Sequence, residues 1–364
     1  MKITAAVVRE KSGPFRIEEV DLEEPSDDEV LIRILAVGLC HTDLVARDQY
    51  LPFPLPAVLG HEGAGIVEKV GSRVTKVAPG DHVVLSYLTC GTCPACTKGI
   101  PGHCLDFLRA NFAGTRFDGT PTMKKGGEII HSAFFGQSSF ASHSLANERN
   151  VVKVRKDVPL EILGPLGCGF QTGAGGVINT LHPKAGSSIA IFGVGSVGLS
   201  AIMAAYACGC TTIIAVDTNA ARLKTAQEFG ATHVIDPVKV DPVAEIQSIT
   251  GPGAEYALEC TGIPKVFRQT VDSIRIGGEC GLIGVAPFGS EVSLDMQNIL
   301  NGRTIKGVVE GDSVPDIFIP QLIELNRLGR LPFDKMIKFY PMDQINQAAE
   351  DSEKGKTLKA VLRP

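Results

Sequence analysis

The sequence has no block of lysine and arginine: its 35 basic residues are scattered among 40 acidic ones, for a formal net charge of -5. That removes the electrostatic footprint of a nucleic-acid binder or of a protein held on an anionic membrane surface. The first thirty residues, Met1 to Val30, hold Arg9, Lys11, Arg16 and several acids but no apolar run. They do not have the pattern of a secretory signal, and a cytoplasmic location is expected. Tandem repeats and low-complexity tracts are also missing, so neither a repeat architecture nor a disordered tract organises the chain. One stretch, Ala185 to Val216, has no charge at all and contains Ile202-Met203-Ala204-Ala205, which has the look of a membrane span. Gly193, Gly195 and Gly198 interrupt it, and its ends, Ile189–Phe192 and Thr212–Val216, are short β-branched runs typical of buried parallel strands. No membrane and no nucleic acid are expected as partners; small molecules and copies of the chain itself, as a homodimer or homotetramer, are.

With 364 residues, 44% of them hydrophobic, the chain exceeds what one core usually supports and predicts two domains. From Ser188 to Val309 strand candidates (Ser188–Phe192, Thr212–Val216, His233–Ile235, Tyr256–Glu259, Glu279–Val285, Thr304–Val309) alternate with helical stretches (Val197–Gly209, Ala220–Phe229, Val243–Thr250, Lys265–Arg275). Gly209, Gly230 and Gly277 stand where helix C-caps belong. This rhythm predicts a doubly wound parallel sheet of the Rossmann type. Residues 1 to about 170 are instead rich in short β pieces, Gly and Pro, with little helical periodicity. The tail has one clear helix, Ile317–Gly329, then strand-like Met336–Tyr340 and Thr357–Leu362. The expected fold class is α/β in two domains: a mostly β domain (1–169), the sheet domain (170–309), and a C-terminal segment (310–364) completing the first.

Of the ten cysteines, four form Cys90-x2-Cys93-x2-Cys96-x7-Cys104. Without an export signal these thiols are expected in a reducing compartment, where they serve metals or pack. The glycines, Pro94 and Lys98 around them make a loop rather than a core strand, and four thiolates at such spacings close a tetrahedral shell around zinc. A ferredoxin-type cluster usually has a last gap of three residues followed by proline, so the gap of seven and His103 favour zinc. Four protein ligands leave no open position, so this metal is expected to be structural.

A catalytic metal needs three ligands and a vacancy, for which Cys40, His61 and Cys168 are candidates. Taken singly, each such residue is more often a packed core residue than a ligand. Context changes the weighting: Cys40 lies in Gly38-Leu39-Cys40-His41-Thr42-Asp43, and His61 in Gly60-His61-Glu62-Gly63-Ala64-Gly65, whose glycines let the backbone approach closely. Gly193-Val194-Gly195-Ser196-Val197-Gly198 falls between a strand and a helix, the setting a dinucleotide-binding loop requires. There Gly193 makes the turn, Gly195 admits the pyrophosphate, and Gly198 allows close packing, with Val194 and Val197 in the same loop. Asp217 ends the next strand, where a carboxylate binds ribose hydroxyls and disfavours the 2′-phosphate of NADP. The bland alternative is that Asp217 caps the following turn. Arg222, in the next helix, joins the cofactor-binding set.

Gly60-His61-Glu62, Gly65, Gly71 and Val74, with the four-cysteine lobe and the glycine loop, match the signature of zinc-containing medium-chain alcohol dehydrogenases. The resemblance runs from about Ala5 to the C-terminus. It implies a GroES-like catalytic domain, two zinc ions per chain and NAD, with Cys40, His61 and Cys168 as catalytic zinc ligands. It also implies that zinc lowers the pKa of the alcohol hydroxyl while hydride passes to the nicotinamide. Thr42 is then the first proton acceptor, and Asp43 fixes the His61 imidazole. Glu62 is a nearby carboxylate that approaches the metal transiently, and His41 and Lys359 lie near the cofactor phosphates. Many members carry histidine three residues after the Thr42 position to finish a proton relay; Val45 stands here, so the relay ends elsewhere. Leu39–Leu44, Ser86–Gly91 and Val309–Pro315 look most like aryl-alcohol (benzyl alcohol) dehydrogenases, with terpene-alcohol enzymes of the geraniol type similar too. The expected reaction is reversible oxidation of an aromatic or allylic primary alcohol to its aldehyde; a short aliphatic alcohol or polyol enzyme is the runner-up. A zinc hydrolase has no use for the glycine loop and Asp217, a zinc-ribbon interaction protein explains only Cys90–Cys104, and a zinc-free quinone reductase lacks both metal sites. Cys208, Cys210, Cys260 and Cys280 read as packed thiols, and His82, His103, His131, His143, His182 and His233 as structural or surface groups.

Overall fold

A computed structural model describes all 364 residues. The chain divides into two compact units, one of Met1–Cys168, Val314–Ile323 and Asp334–Pro364, the other of Gly169–Ser313 and Glu324–Phe333. The tail expected to complete only the first domain is therefore shared. Phe333 is buried in the second unit, where its ring lies 5.3 Å from that of Phe170.

The first unit is built on two sheets. In the smaller, Lys2–Val8 and Phe15–Leu22 pair antiparallel, with Ile3, Val7, Phe15, Val20 and Leu22 turned inward and Lys2, Arg16 and Glu19 left outside. In the larger, the central strand Glu29–Gly38 pairs with Glu62–Val70, His143–Asn147 and the last strand, Lys359–Arg363. Near-complete burial of Glu29–Gly38 explains its Val, Leu and Ile content. The register is what matters for the site. Gly38 is opposite Glu62 on one side and Val361 on the other, so the ends of three strands converge just before Cys40.

Short helices escape periodicity: His41–Arg47 has 7 residues, Pro94–Thr97 has 4 and Phe107–Phe112 has 6, under two turns each. The tail has a second helix, Ile345–Glu353, beyond the single one expected; its 9 residues hold one buried apolar triplet, Ile345, Ala348 and Ala349, too short a repeat to register in the sequence.

The second unit holds a six-stranded, wholly parallel sheet in the order His233–Ile235, Thr212–Val216, Ser188–Phe192, Ala254–Glu259, Ile274–Leu282, Thr304–Gly307. Helices Ser196–Ala207, Ala220–Glu228, Pro242–Thr250 and Pro264–Ser273 fall between the strands. Three strands occupy their expected spans. The strand expected at Glu279–Val285 begins earlier, at Ile274, and the last ends at Gly307. Strand order reverses between Ser188–Phe192 and Ala254–Glu259, and the glycine loop leaves the sheet at that point. The uncharged Ala185–Val216 stretch folds as strand, helix of 12 residues, strand. No helix is long and apolar enough to cross a membrane.

Candidate active site

The central strand delivers Cys40 at the N-cap of His41–Arg47, and Asp43, three residues on, organises what lies beside it. Asp43 is wholly buried. One carboxylate oxygen accepts the Cys40 backbone N–H at 2.9 Å; the other accepts the Gly60 N–H at 3.0 Å and lies 2.8 Å from His61 Nδ1. A carboxylate can only accept, so Nδ1 carries the proton and Nε2 presents its lone pair. Nε2 is buried and has no hydrogen-bond partner. Such a group is costly unless something electrophilic meets it. It belongs to a cluster with Cys40, Cys168 and Glu62, whose ligand atoms all lie within 4.8 Å of one another. Two thiols and an imidazole with an orphaned nitrogen fit a zinc ion with an open position. Hydrogen bonding with Cys168 holds the Cys40 thiol well below its ordinary pKa despite burial, favouring the thiolate a metal requires. Burial alone would lower the His61 pKa, but the Asp43 carboxylate outweighs it. The same negative field favours a cation at Nε2.

Glu62 leans into this cluster because residue 38 is glycine: a Cβ there would stand 1.9 Å from Glu62 Oε2. Lys359 holds the carboxylate. Its Nζ donates to Oε1 at 2.8 Å and Oε2 at 2.9 Å, with both side chains buried. Lys359, expected at the cofactor phosphates, is thus placed otherwise, since pairing of its strand with Glu29–Gly38 turns the side chain inward. Burial opposes its charge, but the Glu62 carboxylate holds its pKa above the ordinary lysine value. Thr42 Oγ1 lies 3.7 Å from Cys40 Sγ, Val45 follows on the same helix, and His41 is exposed at its start.

Two features of this surrounding had no sequence signal. Gln137, fully buried, donates its amide to the His61 and Ser86 carbonyls and accepts from Gly63 N–H and the Ser139 hydroxyl, fixing the His61 strand. In the turn around it, Ala133, Phe135, Gly136 and Ser138 have positive φ. That turn lays the Phe135 ring flat on the His61 imidazole, centroids 4.4 Å apart, with Phe134 edge-on at 5.4 Å. Phe53, Phe107 and Phe112 continue the ring contacts.

In the four-cysteine lobe, Sγ separations are 3.5 Å (Cys90–Cys104), 3.6 Å (Cys93–Cys96) and 4.0 Å (Cys90–Cys96 and Cys93–Cys104). Zinc–sulfur bonds of about 2.3 Å in a tetrahedron give sulfur–sulfur edges of about 3.8 Å, so these four fit one zinc and no disulfide forms. The Cys96 backbone N–H brings the Cys93 thiol down to about 6.

In the second unit Gly193 has φ 83°, and a Cβ on Gly198 would stand 2.0 Å from the Gly193 carbonyl, while Gly195 faces open space. That gap is what a pyrophosphate needs at a helix N-terminus. A cavity of ≈ 360 Å³ is lined by Gly193, Gly195, Asp217 and Arg222, with Cys260 and Thr261 opposite. Val194 contributes its N–H to Asp217 Oδ2 at 2.8 Å, and Asn219 N–H donates to Oδ1 at 2.8 Å. Asp217 therefore caps its turn and lines the cavity as well. Arg222 stands 4.0 Å from it. Val197 lies in the first turn of the helix after the loop. The thiols of Cys260 and Cys280 are pushed up by burial, and that of Cys210 up to about 12 by the same cause.

Comparison with known proteins agrees with this geometry. Residues 26–156 match the alcohol dehydrogenase GroES-like domain, and residues 196–325 the zinc-binding dehydrogenase domain. A geraniol dehydrogenase from Castellaniella defragrans is 47% identical over 361 residues, 98% of this chain and 96% of that protein. Among solved structures, an alcohol dehydrogenase zinc-binding domain protein from Burkholderia ambifaria is 54% identical with TM-score 0.98, covering 100% of this chain and 99% of that one. A benzyl alcohol dehydrogenase from Acinetobacter calcoaceticus is 48% identical with TM-score 0.97, over 100% and 99% of the two chains. With both domains matched and two donor clusters that fit zinc, the chain belongs to the zinc-binding alcohol dehydrogenase family.

Proposed function

We propose that this enzyme oxidises primary alcohols bearing an aromatic or allylic group to the aldehyde, reversibly, with NAD as hydride acceptor. The observation that carries the reading is the three-donor set of Cys40, His61 and Cys168 with its orphaned Nε2, in a chain similar along nearly its whole length to enzymes named for primary alcohols. Likeness supports the same class, since one relative is named for geraniol and another for benzyl alcohol, an allylic and a benzylic primary alcohol.

Cys40, His61 and Cys168 would hold the catalytic zinc, which when bound supplies Lewis acidity toward the alcohol oxygen. The Thr42 hydroxyl would take the alcohol proton while passing its own on, and since Val45 cannot receive it the path finishes at water or at another side chain. His61 is kept in one tautomer by Asp43. Lys359 holds both oxygens of the Glu62 carboxylate, whose ligand atom lies within 4.8 Å of the other donors. Cys90, Cys93, Cys96 and Cys104 would hold the structural zinc. In the second unit the glycine loop receives the pyrophosphate, and Asp217 takes the ribose hydroxyls with Arg222 beside it.

The test is reduced-nicotinamide absorbance with benzyl alcohol, geraniol, ethanol and a polyol, each with NAD and NADP. The aromatic and allylic alcohols should exceed ethanol in kcat/KM by at least about 100-fold, the scale of burying several apolar carbons. Comparable efficiency on ethanol and benzyl alcohol would overturn the substrate class. A terpene-alcohol enzyme is the second reading, favoured by the relative named for geraniol, and the geraniol-to-benzyl ratio separates the two.

A further inference from the structure

Glu259 is a buried carboxylate that neither the metal centres nor the glycine loop uses. It ends the central strand Ala254–Glu259, opposite Phe192 in the neighbouring strand, and none of its surface is exposed. Its partners are donors of its own turn rather than a cation. Oε1 accepts the Thr261 N–H at 2.7 Å, the Thr261 hydroxyl, and the Gly262 N–H at 3.1 Å; Oε2 accepts the same Gly262 N–H at 3.1 Å. An ionised carboxylate is costly to bury, and one satisfied wholly by adjacent N–H and O–H groups fixes the shape of the segment that supplies them.

That segment is one wall of the ≈ 360 Å³ cavity, where Cys260, Thr261 and Ile263 face Gly193, Gly195 and Asp217. The fit across it is tight: a Cβ on Gly193 would lie 2.5 Å from the Thr261 methyl. It is equally tight behind, where a Cβ on Gly284 would stand 2.5 Å from Glu259 Oε2 and 2.0 Å from the Gly262 nitrogen. Glu259 draws the N–H groups of Thr261 and Gly262 inward, away from the cavity, and leaves the Thr261 methyl against the glycine loop.

We propose that Glu259 is a positioning residue for the nicotinamide dinucleotide: it presets the Cys260–Gly262 turn as the wall of the nucleotide cavity, and its loss weakens cofactor binding without touching the chemistry. The inference rests on the nicotinamide-cofactor reading above.

The test is Glu259→Gln in the full zinc-loaded chain, with NAD affinity measured directly by fluorescence titration and kcat measured at saturating NAD and alcohol. The amide keeps one acceptor oxygen but sets its NH2 against the Gly262 N–H, which Oε2 accepted, and the turn must shift, so NAD should bind at least about fivefold more weakly. The loss should fall on the Kd and KM for NAD, with kcat changed by less than about threefold, the pattern of lost uniform binding. Zinc content should stay as in the wild type. Because Gln at this site threatens folding, Thr261→Val serves beside it: it keeps the methyl, removes one donor to Glu259 and should weaken NAD by about threefold, about one lost net hydrogen bond, while Thr261→Ser should restore affinity. Unchanged NAD affinity in a folded Glu259→Gln, or in Thr261→Val, would overturn the proposal. So would a kcat loss as large as the affinity loss. A wild type that binds neither NAD nor NADP would overturn the dehydrogenase reading itself, an outcome distinct from an unaffected variant.

Discussion

Lys359 and Glu62, 297 positions apart in sequence, form a two-point ion pair with no solvent around it, at 2.8 and 2.9 Å. The strand that carries Lys359 reaches Gly38 only through its tail end, at Val361 and Leu362, and so leaves the lysine level with Cys40. Two thiols and a carboxylate share this small volume, and the ammonium is the cation the chain itself supplies there.

Removing half of that pair should cost far more than removing both charges. Lys359→Met leaves a buried carboxylate uncompensated and should destabilise the zinc-loaded protein by about 3–5 kcal/mol, whereas Lys359→Met with Glu62→Gln should recover most of the loss. Urea unfolding at fixed zinc measures both. Equal destabilisation by the single and double variants would show that the pair does not act as a unit.

Metal analysis should return two zinc ions per chain, because a closed four-thiolate set and an open Cys40–His61–Cys168 set are both built. Cys93→Ala should lose one zinc and, since metal binding to such a lobe is folding free energy, lower the unfolding temperature markedly. Cys168→Ala should also lose one zinc but keep most of its thermal stability while turnover disappears. One zinc or fewer in undamaged wild type would sink the two-site assignment.

Cofactor choice should follow Asp217. Its carboxylate lines the cavity, so an added 2′-phosphate would face like charge, and Asp217→Gly should narrow the NAD-over-NADP ratio of kcat/KM by at least about tenfold. The same variant should raise KM for NAD, because Val194 N–H and Asn219 N–H lose their acceptor. A wild type that uses both cofactors equally well would remove Asp217 from this role.

The proton path should depend on Thr42 and bypass Val45. Thr42→Ala should reduce kcat by about 100-fold or more, the range for losing a positioned proton acceptor, and Thr42→Ser should retain most of it. Val45→His places an imidazole one helical turn from Thr42, so the kcat–pH profile should gain a step near neutrality as a new group joins the path. Near-full activity in Thr42→Ala would mean that the proton leaves by another route.

The features legible from residue spacing were local. Cys90, Cys93, Cys96 and Cys104 lie within one loop, and Gly193, Gly195 and Gly198 within one strand–turn–helix, so spacing alone limits their geometry. Two parallel strands, Ser188–Phe192 and Thr212–Val216, were legible residue by residue for the same reason: an apolar β-branched run buried on both faces needs no distant partner to be recognised. Helices shorter than two turns were not, because periodicity needs repeats. The tertiary structure decided everything that depends on register between remote strands. Lys359 turned from a presumed phosphate contact into the partner of Glu62, because antiparallel pairing brings its strand to Gly38 and a missing Cβ there gives Glu62 room. The turn at 133–138 lies far from His61 in sequence, and only left-handed backbone at Phe135 carries its ring onto the imidazole. Glu259 ends an ordinary buried strand, and only the inward fold of the next three residues gives its carboxylate a purpose. Local spacing fixes what one segment can do by itself; which segments meet is fixed by the packing of the whole core, and no short motif records that.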